Sequence, residues 1–152
     1  MNTLAGRLSA FISAEGHITE VDTSDNGTTV RFRSRGLKYA AWTMSGDDTY
    51  LQLSCAMTLE PGIIFDAPLL RALFECQDSF KCVKLSIQRE GTLLVSAVEF
   101  FFTEPDGYQS TFWRSIGVIE SAAYAGLNEI RNQSTRLAAD KFIEDLSQGN
   151  AR

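Results

Sequence analysis

An α+β fold built on one antiparallel sheet of about six strands is what the chain predicts, in the order α-β-β-β-β-α-β-β-α. Three observations carry this. Apolar residues recur at helical spacing in three separate stretches, and they alternate at strand spacing in six others. Short turn sequences join most of the strands, and only one helix comes between two of them. A doubly wound parallel sheet needs strands and helices to alternate, so this order excludes it.

Leu4, Leu8, Phe11 and Ile12 follow i, i+4, i+7, i+8 spacing, so Thr3 to about Glu15 reads as a first amphipathic helix ending near Gly16. Ile18–Thr23 and Thr28–Ser34 read as strands joined by Asp25-Asn26-Gly27, where Asn-Gly would accept the positive φ angles of a tight hairpin. In the second strand Val30 and Phe32 face one way and Arg31 and Arg33 the other. Lys38–Met44 and Thr49–Thr58 flank the turn Ser45-Gly46-Asp47-Asp48 and complete a four-strand meander.

Pro61-Gly62 stops the sheet. Asp66 is placed to cap a second helix with Pro68 in its first turn, carrying the stripe Leu69, Leu70, Leu73 and Phe74. Val83, Leu85 and Ile87 alternate along the next strand, and Glu90-Gly91 turns into a strand over Thr92–Thr103 that is apolar on nearly both faces. Such a strand is expected to be central and covered on both sides. After Glu104-Pro105-Asp106-Gly107, the stripe Phe112, Trp113, Ile116, Ile119, Ala123, Leu127 and Ile130 marks a long closing helix. Leu137, Phe142, Ile143 and Leu146 suggest helix again beyond polar Asn132–Thr135, either continuous or after a break. Residues 1–152 are thus expected to form a single α+β domain, with 135–152 a helical extension at its C-terminal end.

At 152 residues and 16.8 kDa the chain is long enough to bury a core without metal or disulfide staples. A net charge of −5 argues against broad binding to nucleic acid or to anionic membranes. No stretch has the length and apolar content of a signal segment or membrane span, so a cytoplasmic protein without membrane partners is expected. Cys55, Cys76 and Cys82 form no paired set and read as free thiols in a reducing compartment.

The residues that could carry chemistry do not assemble into a reactive constellation. His17 has no placed carboxylate or nucleophile beside it, and one His with three scattered cysteines lacks zinc spacing. Asp22, Ser24 and Asn26 imitate the start of a calcium loop, but its twelfth position holds Arg33, a cation. Asp47-Asp48 and the pair Glu104 and Asp106 fall in turns, where carboxylates are usually solvated. No catalytic residue, metal site or cofactor is therefore expected, and the chain reads as a non-enzyme. Arg31, Arg33, Arg35 and Lys38 form a run of cations, with Phe32 and Tyr39 among them, that a nucleic-acid surface would want. Strand alternation makes the arginines a solvent-facing row instead, and no nucleic-acid partner is expected.

The order of elements resembles that of the YbjN-like family, which shares the type III secretion chaperone-like fold. The residues that carry the likeness are the helix around Leu69-Leu70-Arg71-Ala72-Leu73-Phe74, the strands around Val83-Lys84-Leu85 and Leu93-Leu94-Val95, and the closing helix around Leu127-Asn128-Glu129-Ile130. Four strands precede the second helix here, where those chaperones usually have three. The resemblance implies a small acidic homodimer, chaperone-like or regulatory, that holds an extended segment of a protein client. Small residues in the closing helix, Ala122, Ala123, Ala125 and Gly126, would allow close approach to the sheet on one side and to a twofold mate on another. Tyr39, Trp42, Tyr108 and Trp113 are the candidate partner-binding residues, because Tyr and Trp dominate interface hot spots. Tyr39 and Trp42 fall on opposite faces of one strand, and the outward one is favoured. The alternative function is a small-molecule or lipid-sensing regulatory domain, with Phe100, Phe101 and Phe102 walling a pocket between sheet and helix.

Overall fold

A computed structural model describes residues 3–149, with side chains described as far as Glu144; the last part of the expected C-terminal extension, 150–152, lies outside the described residues. The elements are α1 (Leu4–Ala14), β1 (Thr19–Ser24), β2 (Gly27–Ser34), β3 (Leu37–Met44), β4 (Tyr50–Thr58), α2 (Ala67–Asp78), β5 (Lys84–Gln88), β6 (Leu93–Phe101) and α3 (Gln109–Gly149). This is the predicted order. All six strands join one antiparallel sheet, arranged β1-β2-β3-β4-β6-β5.

Local chemistry sets the element ends. The Thr3 hydroxyl accepts the Gly6 N–H at 3.2 Å, and the Asp66 carboxylate accepts the Leu69 N–H at 3.0 Å, so each helix start gains a partner for one of its orphan donors. The positive φ angles expected at Asn26-Gly27 occur elsewhere. In the β2–β3 turn Arg35 and Gly36 have φ of 51° and 81°, the mirror-image turn that matches strand twist. Gly27 instead begins β2, and its missing Cβ is what the site requires: a Cβ there would overlap the Thr43 carbonyl oxygen and lie 2.8 Å from the Trp42 indole nitrogen.

The three helices contact the sheet or each other on one side. α1 packs on β1, β2 and β3, α3 crosses β4, β6 and β5, and α2 fills the space beside α3 and β5. The covered face carries Val30, Phe32, Tyr39, Ala41, Leu51, Leu53, Cys55 and Val98, all buried against Leu4, Leu8, Ile12, Phe112, Ile116 and Ile119 of the helices. A second cluster joins Leu69 and Leu73 of α2 to Leu94 of β6, Ile130 of α3 and Leu59. Burying such side chains contributes about 1.5–3 kcal/mol each before the entropy of ordering the chain is set against it.

The other face of the sheet is open, which corrects the expectation that the Thr92–Thr103 strand is central and doubly covered. β6 lies between β4 and β5, but Val95, Ala97 and Glu99 are only half-buried and Phe101 is 78% exposed. An apolar alternation on both faces does not require a second layer when small neighbours and an aromatic group shield it. Here Trp42, Tyr50 and Phe101 cluster, with ring centroids 5.8 and 5.1 Å apart along the series.

α3 runs unbroken through the polar stretch Asn132–Thr135. The Ser134 and Thr135 hydroxyls donate to the carbonyls of Ile130 and Arg131, so these residues satisfy themselves on the helix and do not interrupt it. Ala122, Ala123 and Gly126 are buried within the chain, so their small size serves the approach of α3 to its own sheet. No helix among the described residues is long and apolar enough to cross a membrane.

Candidate functional site

The four residues expected to bind a partner do not share a surface. Tyr39 and Tyr108 are 2% and 1% exposed. Tyr39 stacks on Phe32 with centroids 5.3 Å apart, and its hydroxyl donates to Glu120 of α3, which also pairs with Arg35. Burial, the nearby Cys55 thiol and Glu120 hold the Tyr39 phenol well above the usual range. Tyr108 and Trp113 pack edge-on or tilted against Phe11 and Phe112 on the covered side. Only Trp42 reaches the open face, in the cluster with Tyr50 and Phe101. Three of the four therefore belong to one core cluster, linked through Phe11, Phe32 and Phe112, and the fourth lies on the opposite side of the sheet, because strand parity sends Tyr39 inward and Trp42 outward.

The phenylalanine triplet divides in the same way. Phe100 and Phe102 pack against the core, while Phe101 points to the open face, so the three do not wall one pocket. The acidic pairs are also engaged. The Asp47 carboxylate accepts from the Thr49 N–H and hydroxyl, which lowers its pKa, and Asp48 and Asp106 flank the Arg7 guanidinium. His17 lies against the Trp113 ring, with centroids 5.2 Å apart. Arg31, Arg33 and Arg35 are exposed, as strand alternation predicts; Arg31 pairs with Asp22 and Arg35 with Glu120.

The strongest recognition geometry is between α2 and β5. Among the described residues β5 pairs only with β6, so its other edge has no strand beside it. The Leu85 N–H points to that edge, where the Gln77 side-chain oxygen accepts it at 2.7 Å. Antiparallel strands alternate the direction of their backbone groups, so the N–H and C=O of Ile87 point the same way. The bond from the Leu59 N–H to the Thr92 carbonyl fixes the same alternation from the far side, since it directs Thr92, and with it Leu94 and Ser96, toward β4.

Beside this edge runs a groove of about 270 Å³, with Leu73, Leu94 and Leu85 at its floor and Leu70, Phe74 and Gln77 along its wall. Two of the apolar positions of α2, Leu69 and Leu73, are buried, but Leu70 is 41% and Phe74 64% exposed. Gly126 of α3 makes the floor shallow but closed: a Cβ there would stand 3.2 Å from Leu94, 3.3 Å from Leu85 and 3.6 Å from Leu73. The Leu69-Leu70-Leu73-Phe74 stripe has the width of an ordinary core-facing helix, so the sequence carried no signal that Leu70 and Phe74 would stay exposed.

No family model matches the chain, and no curated protein matches it. Among solved structures it is similar to an uncharacterized protein from Methanothermobacter thermautotrophicus, with a TM-score of 0.68 and 14% identity over 86% of this chain and 98% of that one. It is also similar to YbjN from E. coli, described as "a putative transcription regulator", with a TM-score of 0.53 and 17% identity over 86% of this chain and 92% of that one. The resemblance read from the order of elements thus holds at the level of structure: this chain has a YbjN-like fold.

Proposed function

We propose that this protein is a non-enzymatic interaction module, chaperone-like or regulatory, that holds an extended segment of a partner protein against β5 and in the α2–β5 groove. The observation that carries the reading is the pairing of an open strand edge with an apolar groove beside it. An added strand would gain main-chain hydrogen bonds from Ile87, and from Leu85 once the Gln77 side chain swings away. Its alternate side chains would enter the groove over Leu73 and Phe74, which supplies selectivity. β1, the other edge, is a poorer candidate: it carries Glu20 and Asp22, and charged residues on an edge discourage pairing.

The test is capture of synthetic extended peptides, apolar at alternate positions, on a biosensor. Ile87→Pro removes a donor that points away from β6, so it leaves the ladder intact and is expected to abolish capture. Phe74→Ser is expected to weaken capture with the far-ultraviolet circular dichroism unchanged. Capture that survives both substitutions in folded protein overturns the proposal.

The proposal includes a homodimer. Its support is the part of α3 that runs on past Gln133, whose side chain donates to Asp66 at the cap of α2. About 24 Å of helix follows from Ser134 to Gly149, with Leu137 40% and Phe142 64% exposed. Light scattering at micromolar concentration is expected to give twice the 16.8 kDa chain mass; a monomer removes this part of the proposal.

A further inference from the structure

The opposite edge of the sheet carries a different feature. β1 begins at Thr19, opposite Phe32, so Arg33 and Ser34 of β2 run past its start with no strand on that side, while β3 flanks them on the other. Gly16 and His17, arriving from α1, border the resulting notch, a cleft of about 590 Å³ whose lining includes Ile18, Glu20, Arg31, Arg33 and Lys38. That volume falls within the range of small-molecule sites.

The charges in the notch are unbalanced in a specific way. Arg31 is neutralised, since Glu20 stands opposite it in the ladder and Asp22 pairs with it at 3.2 Å. Arg33 and Lys38 stand directly opposite each other on β2 and β3, so their Cα atoms are about 5 Å apart. Neither makes an ion pair or side-chain hydrogen bond among the described residues. Like charges facing each other across strands are destabilising, and an anion held between them reverses the sign of that interaction. Ile18, 88% exposed, supplies an apolar wall beside the cations.

We propose that this notch binds a small molecule carrying a phosphate monoester next to an apolar body. Two cations of different geometry suit a tetrahedral dianion: the Arg33 guanidinium offers a fork of donors to two oxygens, and the Lys38 ammonium a point charge to a third. A single carboxylate would need only the arginine. A long polyanion is disfavoured, because the flanking cations Arg31 and Arg35 are already paired with Asp22 and Glu120 in a chain of net charge −5. The inference is independent of the α2–β5 groove, which adjoins the other edge strand of the sheet.

Phenyl phosphate is the probe, followed by backbone amide chemical shifts and by thermal melts, with benzoate, a single-stranded oligonucleotide, and sodium chloride of matched ionic strength as comparisons. Saturable shifts are expected at His17, Arg33 and Lys38, together with a rise in Tm that chloride does not reproduce. The double variant R33Q/K38Q is expected to bind at least about tenfold more weakly while melting no lower than the parent in the absence of phosphate. Any of three results overturns the proposal: shifts that do not saturate, equal affinity in the double variant, or benzoate or the oligonucleotide binding more tightly than phenyl phosphate.

Discussion

Truncating two residues of one apolar stripe of α2, Leu69 and Phe74, separates its buried side from the wall of the groove. Leu69 is fully buried among Leu59, Leu73, Leu94 and Ile130, so Leu69→Ala removes transfer energy and leaves a cavity, a loss of about 2–5 kcal/mol. Phe74 is 64% exposed, which leaves about a third of a side chain whose full burial covers roughly 150–250 Å². At about 25 cal/mol per Å², the area lost in Phe74→Ala amounts to about 1.3–2 kcal/mol. Alanine's better helix propensity returns about 0.5 kcal/mol, and the partly collapsed unfolded chain reduces the area term further, so the net loss is about 1 kcal/mol. For a chain of this length 1 kcal/mol moves Tm by about 2–4 °C. Thermal and urea denaturation of both variants should therefore show a shift of a few degrees for Phe74→Ala and one several times larger for Leu69→Ala. Equal losses would mean that Phe74 is structural and that the groove has no free wall, which would also remove the basis for the proposed partner site.

Three further predictions concern buried groups. Burial raises the Tyr39 and Tyr108 phenols, and pushes the Cys55 thiol up to about 11, so these groups bind protons more tightly folded than unfolded. Their contribution is fully present below the unfolded values, near 9 for the thiol and 10 for the phenols, and is lost as pH rises through the raised folded values. Urea midpoints should thus fall with increasing pH above about 9, and a flat profile to pH 11 would contradict the burial argument. With a thiol-specific reagent at neutral pH, exposed Cys82 should react first and Cys55 only on unfolding. Gly27→Ala should lower stability by about 1–3 kcal/mol or more, since its Cβ overlaps a backbone oxygen that cannot rotate away, and it should shift Trp42 fluorescence; an unchanged melt would refute the close packing at the start of β2.

The order of elements, the six-strand antiparallel sheet and the Asp66 helix cap were legible in the sequence because they depend on local chemistry. Thr3 and Asp66 precede helical stripes, and Val30, Phe32, Leu51 and Leu53 alternate at strand period. Parity put Tyr39 and Trp42 on opposite faces of β3, and the docking of the helices made Trp42 the outward one. Whether an outward face is covered depends on where the helices land, and no local pattern records that. α1, α2 and α3 all pack on one side, so the apolar residues on the far face of β6 stay uncovered and Phe101 reaches solvent. The same packing buries Leu69 and Leu73 and leaves Leu70 and Phe74 as one wall of a groove, although all four share one sequence stripe. The notch at β1 likewise exists only because β1 starts too late to accompany Arg33, a matter of register between strands. Local periodicity specifies which way a side chain points from its own backbone; only the docking of one element on another decides what it meets there.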